Sequence, residues 1–256
     1  MAGPDHNLER DLERDLEQDL ERRLRGAETE ELHDLLHRYA AEMDVREAVH
    51  ALRNPFLGRE GIETVAEQGR LLASYEVKRL IALHPRTPEP LALRFVPSLF
   101  WRDLLEMGVD TRVRPTVRRA ADRRLMGRLS SLATGEKMAV ARRASGRILS
   151  RLRHDPSPRV AGALLENPRI TEGILVPLVA SDDAQPKVLE LVARNRRWGV
   201  RYEVRLALCC NPRTPVRTVL PILPMLRKRD LRTVAREIRL PAAVRRRAKV
   251  LLGEAD

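Results

Sequence analysis

The chain has little cysteine, few aromatic residues and no long apolar stretch. Its two cysteines, Cys209 and Cys210, are adjacent, which excludes a disulfide framework and favours a reducing compartment. The longest apolar stretch, Ile174–Ala180, is far shorter than the roughly 20 residues that span a bilayer. The amino terminus is acidic and lacks the apolar core of a secretion signal. We therefore expect a soluble cytoplasmic protein with no membrane insertion.

Aromatic residues make up only 3% of the 256 residues, whereas 43% are apolar and 33% are charged. The core must therefore be aliphatic, which suits short helices stacked closely. Alternating and β-branched runs are nearly absent, so we predict no sheet. The sequence also lacks a glycine-rich phosphate loop, a Gly-x-Ser-x-Gly motif and a paired-cysteine zinc spacing. We accordingly predict no catalytic residues, no cofactor and no metal, and we expect both cysteines to lie mid-helix as small apolar residues.

Short proline-containing segments separate the apolar runs. The clearest copies are residues 84–88 (His-Pro-Arg-Thr-Pro) and 211–215 (Asn-Pro-Arg-Thr-Pro), with related copies at 167–171 and at Asn54-Pro55. The residue before a proline leaves the α region and proline donates no amide, so a helix ends there. We predict that the threonine of each pentad accepts a bond from the next helix and that the following proline takes its first position. The pentads are thus predicted joints between helices.

The chain contains an internal repeat. Residues 75–125 align with residues 202–252 at a constant offset of 127, without a gap and with 19 identities in 51 positions. A match of this length indicates that a block of several helices was duplicated.

Charge is distributed unevenly along the chain. Residues 1–44 carry 14 acids and six arginines or lysines, a net charge of −8, whereas the whole chain carries +12. Residues 45–256 therefore carry +20. Residues 1–27, with leucine at every fourth position from Leu8 to Leu24, are predicted to form an acidic helical arm before a repeat domain at 28–256. This asymmetry suggests a polyanionic partner, an arm that competes for the same surface, or arginines that only solvate helix faces.

Two basic helices are predicted at residues 116–126 and 242–252, each with one apolar face and one arginine-rich face. The candidate anion- or partner-binding residues on these helices and in the turn before residue 198 are Arg118, Arg119, Arg123, Arg196, Arg197, Arg245, Arg246 and Lys249. Trp101 and Trp198 lie next to arginines and are the candidate aromatics of a concave face.

With these joints, the chain resembles the leucine-rich repeat variant and HEAT-like families of bacterial helical repeats. The resemblance is carried by residues 155–175, which begin Asp-Pro-Ser-Pro-Arg-Val, and by residues 207–223. The spacing between joints is irregular, and the four-cysteine cluster segment of some variant repeats is absent. The resemblance implies an all-α fold, a right-handed α-solenoid of short antiparallel helices with a concave binding surface and no catalytic set.

Two functions follow as hypotheses. The first is a non-enzymatic scaffold that binds a protein or peptide on the concave repeat surface. The second is sequence-independent binding of DNA or RNA through the arginines. Some HEAT-like proteins excise alkylated DNA bases with a tryptophan and an aspartate, which Trp101 and Asp103 match in residue type only. Because Arg102-Asp103 recurs as Arg229-Asp230 without a tryptophan, we expect a structural ion pair or helix cap there.

Overall fold

The computed structural model describes residues 19–254. This part of the chain is all helical and contains no β-strand, as predicted. It divides into two compact units between Arg124 and Leu125. The leucines of the predicted arm before residue 19 lie outside the described residues.

In the first unit, residues 19–26 are helical and are followed by seven helices, the last of which crosses the division. These are α1 Thr29–Tyr39, α2 Val45–Arg53, α3 Arg59–Glu67, α4 Tyr75–Leu83, α5 Glu89–Phe95, α6 Trp101–Val109 and α7 Pro115–Arg128. The second unit continues with α8 Thr134–Arg143, α9 Gly146–Leu152, α10 Pro158–Glu166, α11 Glu172–Ala180, α12 Pro186–Arg194, α13 Tyr202–Cys210, α14 Val216–Val219, α15 Lys228–Arg236 and α16 Ala242–Leu252.

Each proline pentad lies between two helices, as predicted. Residues 84–88 connect α4 to α5, residues 167–171 connect α10 to α11, and residues 211–215 connect α13 to α14. A capping box precedes α2, because the Asp44 carboxylate accepts the Glu47 amide and the Glu47 carboxylate accepts the Asp44 amide.

The threonines of the pentads do not cap the following helices, which corrects the prediction. Thr87 is buried, and its hydroxyl donates to the Ile81 carbonyl of the preceding helix at 2.5 Å. Pro88 and Pro215 precede their helices in an extended conformation, with ψ of 141° and 134°, instead of taking the first helical position. The Thr87 hydroxyl instead bonds a carbonyl near the end of the preceding helix, and the Thr214 hydroxyl has no hydrogen-bond partner.

The asparagines of the joints connect segments that lie far apart in sequence. Asn54 Nδ2 donates to the carbonyls of Leu24 and Ala27, both at 2.9 Å. Asn167 Nδ2 donates to Ala141 and Ala144 at 2.7 and 3.1 Å. In each case Oδ1 accepts the amide two residues ahead. One side chain therefore closes the turn and satisfies two carbonyls of an earlier segment.

Asn211 repeats the arrangement with the carbonyls of Val179 and Ser181, at 2.5 and 2.9 Å. All three asparagines are buried. Because their partners lie 23–32 residues earlier, the bonds link each joint to the preceding pair of helices.

Helices pack mainly on the next helix but one. In the first unit α1 contacts α3 and α2 contacts α4; in the second unit α8 contacts α10, α9 contacts α11, α11 contacts α13, and α13 contacts α15. The two terminal helices α15 and α16 also pack directly together. The core is aliphatic, as the composition predicted, and consists largely of leucine, valine, isoleucine and alanine.

The last part of the predicted arm belongs to the folded first unit. Leu24 is fully buried, and its carbonyl accepts the Asn54 amide. Glu21 lies 3.5 Å from Arg46 and 3.6 Å from His50. Residues 19–27 are therefore held by the body of this unit.

Candidate functional site

The basic face of α7 lies in the first unit. The residues of its apolar face are all buried: Val117, Ala121 and Leu125. Arg119 and Arg123 are exposed, and Arg118 is half-buried. Arg119 Nε donates to the Pro115 carbonyl of its own helix at 3.2 Å. Arg124 donates to the Pro97 carbonyl at 3.3 Å, so part of this arginine set bonds backbone carbonyls.

The basic face of α16 lies in the second unit. Val244 and Ala248 are buried, whereas Arg246 is exposed. Arg245 and Lys249 are half-buried, and Arg245 Nε is enclosed without a hydrogen-bond partner. The helix ends at Gly253, which adopts a φ of 77°.

Arg196 and Arg197 are exposed in the turn after α12. Asn195 Oδ1 accepts the amides of Arg197 and Trp198 at 2.9 and 3.1 Å, and the Arg197 guanidinium lies 4.6 Å from the Trp198 ring centre. Trp198 itself is only 3% exposed. Trp198 was predicted as an aromatic of a concave face, but its ring is almost completely buried, because the turn directs it into the core.

Trp101 is half-buried at the start of α6, with Arg102 lying 5.2 Å from its ring centre. Asp103, two residues on, faces α4 instead. Its carboxylate accepts the Tyr75 hydroxyl and pairs with Arg79 Nε at 2.5 Å. Burial, followed by the bond to Asp103, raises the pKa of Tyr75 to about 12. Asp103 thus takes part in an ion pair, with Arg79 rather than with Arg102.

The tyrosine–aspartate bond recurs 127 residues later, with a different arginine as the partner of the aspartate. The Asp230 carboxylate accepts the Tyr202 hydroxyl, and Arg229 Nε lies 3.2 Å away. The Tyr202 hydroxyl in turn accepts the Arg227 amide at 3.1 Å, at the start of α15. The Tyr202 bond and then Arg229 hold the pKa of Asp230 below its ordinary value. These contacts orient α15 on α13.

A basic surface that the sequence analysis did not single out lies on α15. Lys228, Arg232 and Arg236 are all exposed, and their spacing of four residues puts them along one side of the helix. We call these three residues the α15 stripe. Leu231, Val234 and Ala235 on the opposite face are buried. The four-residue spacing of these cations is visible in the sequence, but the predicted basic faces rested on adjacent arginines.

Cavities also lie outside these basic faces. One of about 590 Å³ lies between α1 and α3, with His33 and Glu60 at 3.7 Å on its wall. Two of about 170 and 190 Å³ share Asp155, whose carboxylate pairs with Lys137 at 3.0 Å and also accepts the Ser157 amide. Within residues 19–254, no group of three or more histidine, cysteine, aspartate or glutamate side chains is placed to hold a metal ion.

Comparisons with known protein families, curated proteins and solved structures find no match. Among the described helices, none combines the length and apolar character that crossing a membrane requires.

Proposed function

We propose that this protein is a non-enzymatic interaction scaffold that binds a protein or peptide partner on a helical-repeat surface. The observation that carries the proposal is the packing of each helix on the next but one, with buried asparagines bonding back to the preceding pair. Helical repeats packed in this way present extended surfaces for partners. The proposed architecture is a right-handed α-solenoid of the leucine-rich repeat variant or HEAT-like type, in the cytoplasm.

We also propose that residues 75–125 and residues 202–252 arose by duplication of one block of helices. Two local arrangements recur at the same offset and support it. Tyr75 bonds Asp103 as Tyr202 bonds Asp230. In the turns that follow, Asp110 accepts both the amide and the Nε of Arg112, and Glu237 accepts the same two groups of Arg239.

The glycosylase alternative is less well supported by the geometry. A catalytic carboxylate must reach its substrate, whereas the Asp103 carboxylate is largely buried and bonded to Tyr75 and Arg79. We therefore propose binding without catalysis.

The scaffold function is tested by capturing partners on the tagged full chain, with and without nuclease treatment. We expect one protein to be recovered in stoichiometric amount in both cases, and to bind the purified chain in calorimetry. Recovery that disappears with nuclease, or the absence of binding between purified components, would contradict a protein scaffold.

The second candidate is sequence-independent nucleic-acid binding, favoured by the net +20 of residues 45–256 and by the exposed cations of α7, α15 and α16. The test is affinity for a DNA duplex over a salt series. Contacts to phosphates predict a steep loss of affinity between about 50 and 200 mM salt. Absent or salt-independent binding would remove this candidate.

A further inference from the structure

We propose that the α15 stripe, Lys228, Arg232 and Arg236, binds the phosphate backbone of double-stranded nucleic acid. The inference rests on the second of the two candidate functions and names the surface that carries it.

The stripe is formed by cations that the fold does not neutralise. Four residues of helix advance about 6 Å, so the three side chains extend over about 12 Å of helix axis. A DNA duplex presents about seven phosphates over that length. None of the three side chains forms an ion pair with an acid of residues 19–254, and no exposed apolar residue interrupts this face of α15.

Some cations elsewhere in the chain pair with acids on a stacked helix. Arg142 bonds Glu166 at 2.8 Å, between α8 and α10, and Arg217 bonds Glu190 at 2.6 Å, between α12 and α14. The stripe instead places like charges four residues apart, an arrangement that lowers helix stability. The cations of the stripe therefore do not stabilise the helix.

The acids near the stripe are already occupied. Asp230 is buried against Tyr202 and paired with Arg229. Glu237 accepts the amide and the side chain of Arg239, and these bonds hold its pKa below the ordinary value. An approaching polyanion consequently meets no free carboxylate on α15 or in the turn that follows it.

The corresponding helix of the first unit has a different surface at the same positions. Trp101, Leu105 and Val109 of α6 occupy the places of the stripe, and they are buried or half-buried. Helices near the end of a repeat array need a polar face for solubility, but not charge of one sign. The exposed face of α1 carries both signs, with Glu30, Glu31, Asp34 and Arg38.

The chemistry favours a nucleic-acid backbone over an acidic protein. Protein interfaces centre on buried aromatic or aliphatic anchors, and the exposed face of α15 offers Lys228, Arg229, Arg232, Thr233 and Arg236 instead. Arginine forks bind phosphate oxygens in pairs. The neighbouring α16, packed on α15, adds Arg246 and Arg247 as further exposed cations.

The experiment compares a triple variant, Lys228→Gln, Arg232→Gln and Arg236→Gln, with a control of equal charge in the same unit. The control is Arg143→Gln, Arg151→Gln and Arg159→Gln, three exposed arginines on other helices. Anisotropy of a labelled DNA duplex of mixed sequence is measured over a salt series, using the full chain. Thermal unfolding followed by circular dichroism is expected to be unchanged or slightly raised for the stripe variant.

The plot of log K against log salt concentration becomes shallower by a slope of about 0.9 for each phosphate contact that is lost. For the stripe variant we expect the slope to fall by roughly 2 to 3 and the affinity at about 0.1 M salt to fall 100-fold or more. The control is expected to lose less than about three-fold, since distant charges are screened at this salt.

Equal losses in the two folded variants would overturn the assignment of the stripe while leaving nucleic-acid binding itself intact. No duplex binding by the native chain at about 50 mM salt would instead remove the function on which the inference rests. Displacement of the duplex by poly-glutamate at equal charge concentration would overturn the choice of ligand and indicate an acidic polypeptide.

Discussion

At the scale of single residues, many polar side chains bond backbone carbonyls near the ends of earlier helices. The last carbonyls of a helix have no partner within it, and a buried carbonyl without a partner destabilises the fold. Arg86 reaches the Leu57 carbonyl at 2.9 Å, and Arg169 reaches the Arg143 carbonyl at 3.2 Å. Part of the arginine content is therefore structural, and only arginines without such bonds are candidates for ligand binding.

Thr87 and Thr214 occupy equivalent buried positions but differ in hydrogen bonding. The Thr87 hydroxyl donates to Ile81, whereas the Thr214 hydroxyl has no partner. We expect Thr87→Val to lower the free energy of unfolding by about 1 kcal/mol. Thr214→Val is expected to leave it unchanged or to raise it by about 1 kcal/mol, because an unsatisfied buried hydroxyl is removed. Urea unfolding of both variants measures the difference, and equal losses would show that the two sites are equivalent.

Cys209 is fully buried, as predicted for a small apolar residue, but the two cysteines lie at the carboxyl-terminal end of α13 and not in its middle. Burial, followed by the neighbouring Cys210, raises the pKa of its thiol to about 12 from the ordinary 9.0. The unfolded chain therefore loses this proton first, so the free energy of unfolding falls as pH rises from about 9 toward 12. The slope for one group is at most about 1.4 kcal/mol per pH unit.

We expect Cys209 to resist thiol reagents at pH 8 until the chain unfolds, whereas Cys210, which is half-buried, reacts earlier. Cys209→Ala should flatten the decline of stability above about pH 9 in urea titrations. An unchanged decline would assign it to other groups, of which Tyr75, with its raised pKa, acts in the same direction.

At the scale of elements, the joints hold one helix pair to the next. Helix ends at the prolines, the capping box before α2 and the inward faces of α7 and α16 all follow from local sequence rules, so these features could be predicted. The second role of the joint asparagines could not, because their carbonyl partners lie 23–32 residues away in sequence. The burial of Trp198 was missed for a similar reason, since it depends on the turn closed by Asn195.

The two donor bonds of a joint asparagine can be removed without changing its shape. Asn167→Asp keeps the acceptor for the Arg169 amide but loses the bonds to the carbonyls of Ala141 and Ala144 and buries a carboxylate. We expect it to lower the free energy of unfolding by about 3 kcal/mol or more at pH 7. Denaturant unfolding measures the loss.

Asn195→Asp is the matched control in the same unit. Asn195 bonds the amides of Arg197 and Trp198 through its oxygen, which aspartate also provides. We expect a loss below about 1 kcal/mol. A loss as large as that of Asn167→Asp would mean that the carboxylate itself, and not the missing donor bonds, destabilises the protein.

At the scale of the whole molecule, the structure moves the boundary of the acidic arm. The sequence predicts one acidic helix over residues 1–27. However, Leu24 and Ala27 are buried in the first unit, and their carbonyls accept hydrogen bonds from the Asn54 side-chain amide. A deletion that tests the arm as an internal competitor must therefore end at residue 18. Those 18 residues carry six acids and two arginines.

We expect deletion of residues 1–18 to leave thermal unfolding unchanged and, if the arm competes with polyanions, to strengthen binding of a DNA duplex at low salt. Deletion of residues 1–27 should destabilise the first unit, because it removes a buried leucine and the acceptors of Asn54. Calorimetric scans and duplex anisotropy of both truncations test this. Unchanged affinity after the shorter deletion would remove the competitor role.

The sequence by itself determined that the described chain is helical, that helices end at the proline joints, and that its core is aliphatic. Those properties depend on proline, on capping groups and on the 3.6-residue period, which act over a few residues. Only the tertiary structure decided which asparagines and arginines satisfy distant carbonyls, which tryptophan is enclosed, and which cations remain unpaired on α15. These outcomes depend on which side chains and carbonyls meet after distant helices have packed, and no local pattern in the chain records that.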